Sequence, residues 1–172
     1  TYSAYSYTWT PGTIYEITVF ERKKPVFAPN VNDYPFEQQS SAACILDDFD
    51  FCHNSAASLV AWKINQTFTG NAGVPLLTRI VNNVTTGAPQ NWDTRLDDAG
   101  WVVTSTPERG AIAQWEADSQ DPDGHVAFVF DISRSGDLIV SEYDHYTAPD
   151  AYQTRVIRPG SRDYPSTFIV AP

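Results

Sequence analysis

The second half of the sequence is a series of short β-forming segments separated by turn residues, and this pattern constrains the fold most. Six segments rich in β-branched and aromatic residues lie at 101–105, 110–116, 125–132, 137–142, 153–157 and 167–170. Ser-Arg-Ser-Gly at 133–136 predicts a hairpin turn between the third segment and the fourth. Because connections this short join antiparallel neighbours, we expect an antiparallel sheet.

Helical patterns come before the strands. Residues 55–65 begin with Ser55, a favourable N-cap, and continue with small and apolar residues. Residues 91–100 start at Asn91, end at Gly100 and predict another helix, and the apolar run at 74–84 predicts a further short one. Helices followed by a run of strands predict an α+β fold.

The first 38 residues differ from the rest because they are rich in Tyr, Ser, Thr and Pro. Pro11-Gly12 is a turn signal, and 13–20 predicts one strand. We interpret residues 1–38 as an extension or linker and residues 39–172 as the folded domain. An aromatic edge that binds glycans is the alternative interpretation of the extension.

The charge of the chain excludes some partners. The sequence has 21 acidic and 11 basic residues, a net charge of −10 at pH 7. A nucleic-acid or anionic-membrane partner would need a basic surface, so we expect neither. The sequence contains no Met, which indicates a trimmed or mature form, and we expect a monomer that is part of a larger exported chain.

Cys44 and Cys52 are the two cysteines of the chain and lie close together in sequence. In an exported protein such a pair predicts a disulfide across a short loop. A metal site formed with His53 is the alternative, but it lacks a fourth ligand at a recognisable spacing.

Two residues of the predicted sheet form a candidate catalytic pair. His125 begins a strand directly after Gly124, and Glu142 lies at the end of the next strand. If these strands pair through the turn at 133–136, the imidazole and the carboxylate lie at the same end of the sheet. A carboxylate on one ring nitrogen fixes the tautomer and leaves the other nitrogen available as a base. A nucleophile would be useful at Ala56, where the helix begins and would lower the pKa of a thiol.

Several motifs together resemble one enzyme family. They are Val-Ala-Trp at 60–62 with Asn65, Asn-Trp at 91–92, Gly-Ala-Ile-Ala-Gln-Trp at 110–115, Gly-His-Val-Ala-Phe-Val at 124–129, Ser-Glu-Tyr-Asp at 141–144 and Tyr-Gln-Thr-Arg at 152–155. In this order and spacing they resemble the CHAP family (cysteine, histidine-dependent amidohydrolase/peptidase) over about residues 40–172. The resemblance implies a papain-like α+β fold in which the nucleophile helix packs on an antiparallel sheet.

The resemblance also implies a role for each site residue. The family's cysteine falls on Ala56, His125 is the general base, and Glu142 orients His125. Asp144 stands where many members have an Asn that helps to polarise the site. The implied chemistry is thiol catalysis through a thioester, with no metal and no cofactor.

Aromatic residues near this site are candidate substrate contacts. Trp115 ends a strand close to it and could serve either for sugar stacking or for packing, and Tyr143 adjoins Glu142. We expect Trp62, which lies on a helix with an apolar face, to pack in the core. His145 could contact substrate, but the sequence favours an exposed loop histidine.

The implied substrate is cell-wall peptidoglycan, cleaved at an amide bond by a bacterial or phage protein that is secreted or at the cell surface. Ala56 removes the nucleophile, either as an engineered substitution or in a natural pseudoenzyme that binds the wall without cutting it. Cys52 does not fit the helix register, so we do not expect it to substitute. An adhesion domain and a two-carboxylate glycosidase are alternatives, and the latter leaves the position of His125 unexplained.

Overall fold

The structure is a computed structural model that describes residues 3–9, 13–19, 32–36, 44–68 and 76–172. The predicted Pro11-Gly12 turn lies outside the described residues. Two strands at the start of the chain, β1 (Ser3–Trp9) and β2 (Thr13–Val19), form an antiparallel pair. The sequence analysis predicted only the second strand. The Tyr/Ser/Thr-rich segment also forms a strand, because Tyr and Thr favour a pleated backbone.

A six-stranded antiparallel sheet forms the centre of the fold, in the strand order β5-β10-β6-β7-β8-β9. Its strands are β5 (Val102–Thr104), β6 (Ile112–Trp115), β7 (His125–Ile132), β8 (Leu138–His145), β9 (Ala148–Ile157) and β10 (Thr167–Val170). The predicted hairpin turn joins β7 to β8, where Gly136 has a φ of +86°. With the helices described next, the sheet confirms the predicted α+β fold.

Helix α1 (Ala56–Thr67) begins where the sequence predicts, because the Oγ of Ser55 accepts a hydrogen bond from the backbone N–H of Ser58. Its apolar residues Leu59, Val60 and Ile64 are fully buried, and the helix packs against β7 and β8. These are the strands that carry His125 and Glu142.

Helix α2 (Trp92–Asp98) confirms the second predicted helix and follows a 3-10 turn (Pro89–Asn91). Asn91 is at the N-cap position, but its side chain makes no capping hydrogen bond. The helix is anchored instead by Trp92 and Leu96, both fully buried.

The helix predicted at 74–84 is wrong for the residues that the structure describes. Residues 80–85 form a small hairpin of two strands, β3 (Ile80–Val81) and β4 (Val84–Thr85). Asn82 and Asn83 between them have φ values of +47° and +66°. Asparagine tolerates this left-handed conformation, which ends a helix and closes a tight turn.

The core lies on both faces of the six-stranded sheet. The larger apolar cluster joins α1 and α2 to one face and contains Trp92, Phe128 and Ile169 among its buried members. A second cluster on alternate positions of the same strands contains Leu138 and Phe168. Among the described helices, none is long and apolar enough to cross a membrane.

Residues 32–36 pack against α1, although the sequence analysis placed them in an extension that ends at residue 38. Tyr34 is 5% exposed, and its hydroxyl donates a hydrogen bond of 2.6 Å to the Oγ of Ser58. Lys63 pairs with Asp33 at 2.5 Å between Nζ and Oδ1. Trp62, predicted to pack in the core, is partly buried and meets Tyr34 edge-on with ring centroids 6.3 Å apart. This segment therefore belongs with the folded domain.

Candidate active site

His125 and Glu142 lie within hydrogen-bond distance, as the hairpin between their strands predicts. Phe128 pairs with Ser141 across β7 and β8, so Glu142 is a diagonal neighbour of His125 on the same face. The Nε2 of His125 is 3.2 Å from the Oε2 of Glu142. Both side chains are buried. Because Glu142 contacts Nε2, Nδ1 is the ring nitrogen that Glu142 does not contact.

Two residues of β9 hold the Glu142 carboxylate in place. Arg155 donates from Nε to Oε1 at 2.7 Å and from Nη2 to Oε2 at 3.1 Å, and Gln153 donates to Oε1 at 2.7 Å. Burial alone would raise the pKa of Glu142. The hydrogen bond from His125 and the charges of His125 and Arg155 outweigh burial, so this pKa lies below its ordinary value.

Gln153 and Arg155 were not predicted as site residues. Their sequence signal is the Tyr-Gln-Thr-Arg run at 152–155. Residues 153 and 155 of this run are two positions apart on an edge strand, so their side chains lie on the same face. Gln153 lies opposite Glu142 across β8 and β9. Side chains on one sheet face recur at every second residue, so both reach the same carboxylate.

The turn before β7 supplies a second carboxylate to His125. The Oδ2 of Asp121 is 3.6 Å from the Nδ1 of His125, so the imidazole lies between two acidic side chains. Burial raises the pKa of Asp121, the charge of His125 opposes this rise, and nearby carboxylates such as Asp144 add to it. The sequence analysis missed Asp121, whose only signal is its position four residues before His125.

Trp115 forms one wall beside the imidazole. It lies opposite His125 across β6 and β7, with ring centroids 5.5 Å apart. The guanidinium carbon of Arg155 lies 5.4 Å from the Trp115 ring centroid, and the indole Nε1 donates to the carbonyl oxygen of Asp163. Because its ring and its N–H both have protein contacts, the packing interpretation of Trp115 has direct support.

Gly124 allows the close approach of Trp115 to the turn before β7. Its φ is +73°, and a Cβ atom there would lie 2.7 Å from both the Cβ of Gln90 and the carbonyl oxygen of Trp115. Only glycine fits this position without displacing neighbouring backbone. Gly124 thus fixes the start of β7 and therefore the position of His125, its first residue.

Tyr143 does not reach the site, contrary to the predicted substrate contact. It is 1% exposed, belongs to a buried cluster with Tyr34 and Leu59, and its hydroxyl donates to the carbonyl oxygen of Asp150. The following residue, Asp144, is exposed with a φ of +55°, and its Oδ1 accepts a hydrogen bond from the N–H of Asp150. The recorded hydrogen bond of Asp144 therefore shapes the turn between β8 and β9.

His145 is a buried residue of the site and not an exposed loop histidine. It is 4% exposed, and its ring centroid is 5.1 Å from that of His125. Burial lowers its pKa to about 4; the Glu142 carboxylate opposes this shift, and the charges of Arg155 and His125 add to it. His145 is therefore neutral at pH 7.

A cleft of about 490 Å³ opens in front of the two histidines. Its walls include the side chains of Trp115, His125, His145, Tyr146, Arg162 and Tyr164. Its acidic lining residues are Glu116, Asp118, Asp121 and Asp163, against the two basic residues Arg155 and Arg162. The cleft thus offers both hydrogen-bond donors and acceptors within an excess of negative charge.

Ala56 is the first residue of α1 and is 8% exposed. The loop before it is fixed by Asp47, whose Oδ1 accepts backbone N–H groups of Phe49 and Phe51 and whose Oδ2 accepts the Ser58 hydroxyl at 2.5 Å. These bonds hold the helix start in a defined position. The side chain there is a methyl group, which has no acid–base or nucleophilic chemistry.

Cys44 and Cys52 form the predicted disulfide. Neither sulfur is therefore a free thiol that could act as a nucleophile or bind a metal. His53 is buried and stacks on Phe36 with ring centroids 4.4 Å apart, which is a packing role. Within the described ranges no group of three or more His, Cys, Asp or Glu side chains is arranged so that it could hold a metal ion.

The fold and the site together define a class of protein: an α+β scaffold in which a helix packs on the two strands that carry a buried His–Glu pair. The CHAP domain family matches residues 48–144, which is more than half of the chain. The chain belongs to the CHAP domain family.

Comparison with curated proteins finds the staphylococcal secretory antigen ssaA2 of Staphylococcus aureus, which is 36% identical over 73 residues. The match covers 42% of this chain and 26% of the relative. The chain thus spans about a quarter of the length of the curated relatives that it matches.

Solved structures share the fold. An N-acetylmuramoyl-L-alanine amidase from Staphylococcus aureus has a TM-score of 0.54 at 22% identity, over 70% of this chain and 31% of that one. Ly7917, solved with the hydrolyzing product of MDP, has a TM-score of 0.55 at 23% identity, over 69% of this chain and 54% of that one. At this level of identity the likeness concerns the fold.

Proposed function

We propose that this domain is built to bind cell-wall peptidoglycan and that its site is one for hydrolysis of peptidoglycan amide bonds by thiol catalysis. The chain as it stands binds without cutting, because Ala56 occupies the position of the nucleophile. The observation that carries the proposal is the buried His125–Glu142 pair, at the positions where the CHAP resemblance expects it. The named activity of the amidase neighbour and the secreted character of the staphylococcal relative agree with it.

The proposed chemistry needs a cysteine at position 56. Its thiolate sulfur would bond to the amide carbonyl carbon, and His125 would give a proton to the leaving amine nitrogen as the C–N bond breaks. Water would then attack the resulting thioester carbon and lose its proton to His125 while the sulfur leaves. Glu142, held by Arg155 and Gln153, would keep the imidazole oriented through both steps.

The test compares the unchanged chain with Ala56→Cys, each incubated with purified peptidoglycan under mildly reducing conditions. We expect Ala56→Cys alone to release fragments, whose masses identify the bond that is cut. Ala56→Ser is the matched control, because a hydroxyl of similar size is a much weaker nucleophile at neutral pH. Thiol alkylation and peptide mapping would verify that Cys44 and Cys52 stay paired.

Two double variants test the roles of the pair. In the Ala56→Cys background, His125→Ala should abolish release of fragments, since it removes the proton carrier. Glu142→Gln should lower the rate by about 10²-fold or more, since it removes the orienting charge. Full activity of Ala56→Cys/His125→Ala would contradict the proposed mechanism.

A binding protein without catalysis is the second candidate, and Ala56 is the observation that favours it. If neither the unchanged chain nor Ala56→Cys cuts peptidoglycan but both sediment with it, the binding function stands alone. If neither cuts nor sediments, peptidoglycan is not the ligand and the proposal is wrong. Secretion and membership of a longer chain are parts of the same proposal.

A further inference from the structure

The contacts of His145 fix its tautomer. Its Nδ1 lies 3.3 Å from the backbone N of Thr147, and a backbone N–H can only donate. Nδ1 therefore accepts, and the single proton of the neutral ring is on Nε2. The Thr147 hydroxyl, 2.8 Å from the same Nδ1, can donate to it as well.

A chain of hydrogen bonds connects this tautomer to the pair described above. Gln153 donates to Thr147 Oγ1 at 3.1 Å and to Glu142 Oε1 at 2.7 Å. Thr147 Oγ1 thus accepts from Gln153 and is left to donate to His145. The carboxylate that orients His125 and the ring nitrogen that orients His145 are held by the same amide side chain.

An irregularity between β8 and β9 coincides with the change in direction at His145. Tyr143 pairs with Tyr152 but His145 pairs with Ala148, so the single residue Asp144 lies opposite the three residues 149–151. In a regular strand, positions 143 and 145 would share a face. Tyr143 packs instead in the cluster beside α1, while His145 contacts the ring of His125 and lines the cleft. Irregular pairing of this kind re-aims side chains next to functional sites.

The protonated nitrogen of His145 is left for a ligand. The described part of the chain contains no hydrogen-bond partner for Nε2. Nε2 is also not one of the fully buried polar atoms that lack a partner, so it is open to the outside of the protein. His145 lines the cleft, so a ligand bound there is within reach of this ring.

We propose that His145 is a ligand-binding residue whose Nε2–H donates a hydrogen bond to a peptide carbonyl oxygen next to the amide that faces His125. A neutral acceptor fits better than a carboxylate, because the cleft lining has four acidic side chains against Arg155 and Arg162, and Arg155 is engaged by Glu142. The acidic side chains accept hydrogen bonds from the N–H groups that alternate with carbonyls along a peptide. This inference rests on the proposed function. It assigns a ligand-binding role to His145, a residue that the proposed mechanism does not use.

The test measures binding of muramyl dipeptide by calorimetry, with the unchanged chain as a ligand-binding protein that does not turn over. His145→Gln keeps an N–H donor near the position of Nε2. His145→Asn keeps a polar group near Nδ1 but has no donor at the ε position. We expect His145→Gln to bind within about 3-fold of the unchanged chain and His145→Asn to bind roughly 3- to 10-fold more weakly, the range for one neutral hydrogen bond.

A spectroscopic readout separates binding from structure. Long-range ¹H–¹⁵N spectra of the histidine side chains should show His145 as the neutral Nε2–H tautomer, and its Nε2 signal should shift when muramyl dipeptide is added. His53→Asn is the matched control, because His53 is a buried histidine that packs on Phe36. It should leave binding unchanged.

The outcomes distinguish this inference from the function on which it rests. If the unchanged chain binds and His145→Asn binds equally well, or if the ring is the Nδ1–H tautomer, the inference about His145 is wrong and the proposed function stands. If the unchanged chain binds neither muramyl dipeptide nor peptidoglycan, both are overturned. Weaker binding by His145→Asn, with His145→Gln and His53→Asn close to the unchanged chain, supports the inference.

Discussion

The two cleft histidines have ring centroids 5.1 Å apart, but their surroundings give them different chemistry. Each ring nitrogen of His125 faces a carboxylate, Asp121 at Nδ1 and Glu142 at Nε2. His145 has a backbone N–H and a hydroxyl at Nδ1, which suits a neutral donor. The proposed function makes His125 the proton carrier, and the further inference makes His145 a fixed hydrogen-bond donor.

The buried state of His145 predicts a pH dependence of stability. Its folded-state pKa of about 4 is below the ordinary 6.5, so between these values the unfolded chain takes up a proton that the folded chain does not. The contribution of His145 to the free energy of unfolding is thus complete above pH 6.5 and is lost as the pH falls toward 4. His145→Asn lacks this titration, and its stability should fall less on acidification.

Urea unfolding of the unchanged chain and of His145→Asn, at about pH 7 and about pH 4.5, would measure this difference. Asp121 has a raised pKa and contributes with the opposite sign, and Glu142 titrates in the acidic range of carboxyl groups. Both are present in each protein, so the comparison largely cancels them. Parallel stability profiles for the two proteins would contradict a buried, neutral His145.

At the scale of secondary-structure elements, the site depends on where strands begin and how they pair. His125 is the first residue of β7, and Gly124 before it is the position at which the backbone lies closest to Trp115 and Gln90. The sheet supplies the direction of the His125 side chain, while this close contact fixes its position along the strand. A change at Gly124 therefore acts on the site through the strand.

Gly124→Ala should destabilise the domain more than Gly100→Ala. Both glycines have positive φ values, +73° and +91°, so either substitution incurs backbone strain of about 1–2 kcal/mol. A Cβ at Gly100 meets nothing within 4 Å, whereas a Cβ at Gly124 would lie 2.7 Å from backbone and side-chain atoms. Thermal and urea unfolding of both variants would measure the difference in stability. Equal losses of unfolding free energy would show that the close contact at Gly124 does not add to the cost of the substitution.

At the scale of the whole molecule, the boundary of the domain lies earlier than the composition of the sequence suggests. Residues 32–36 contribute Tyr34 and Asp33 to the packing of α1, whose first residue is Ala56, the proposed nucleophile position. The Tyr34 hydroxyl also accepts the N–H of Asn54 next to the helix N-cap. Burial raises the pKa of Tyr34 to about 12, so this hydroxyl keeps its proton and its donor role at neutral pH.

Truncation distinguishes the two boundaries. A chain that begins at residue 32 should retain its stability and its binding to peptidoglycan, whereas a chain that begins at residue 39 should lose about 3–5 kcal/mol of unfolding free energy, because it lacks a buried aromatic side chain and its hydrogen bonds. Urea unfolding and co-sedimentation with peptidoglycan would measure both effects. Loss of binding on removal of residues 1–31 alone would instead favour the aromatic extension as the binding surface.

Features that depend on local pattern are predictable from the sequence. The N-cap at Ser55, the turn at 133–136 and the alternation along β7 and β8 are short-range signals, and together they were enough to place His125 beside Glu142. The family resemblance aligned the family's cysteine with Ala56, and Ala56 is the first residue of α1. The disulfide was predicted because its two cysteines are near neighbours in the chain.

Tertiary structure decided the features that depend on where a side chain ends up. Tyr143 and His145 are two residues apart, yet the irregular pairing with β9 places one in the core and the other in the cleft. Asp121 and Tyr34 have no sequence pattern that predicts their partners. Burial, close contacts between distant segments and the direction of a side chain after an irregular turn are long-range properties, and these completed the candidate site.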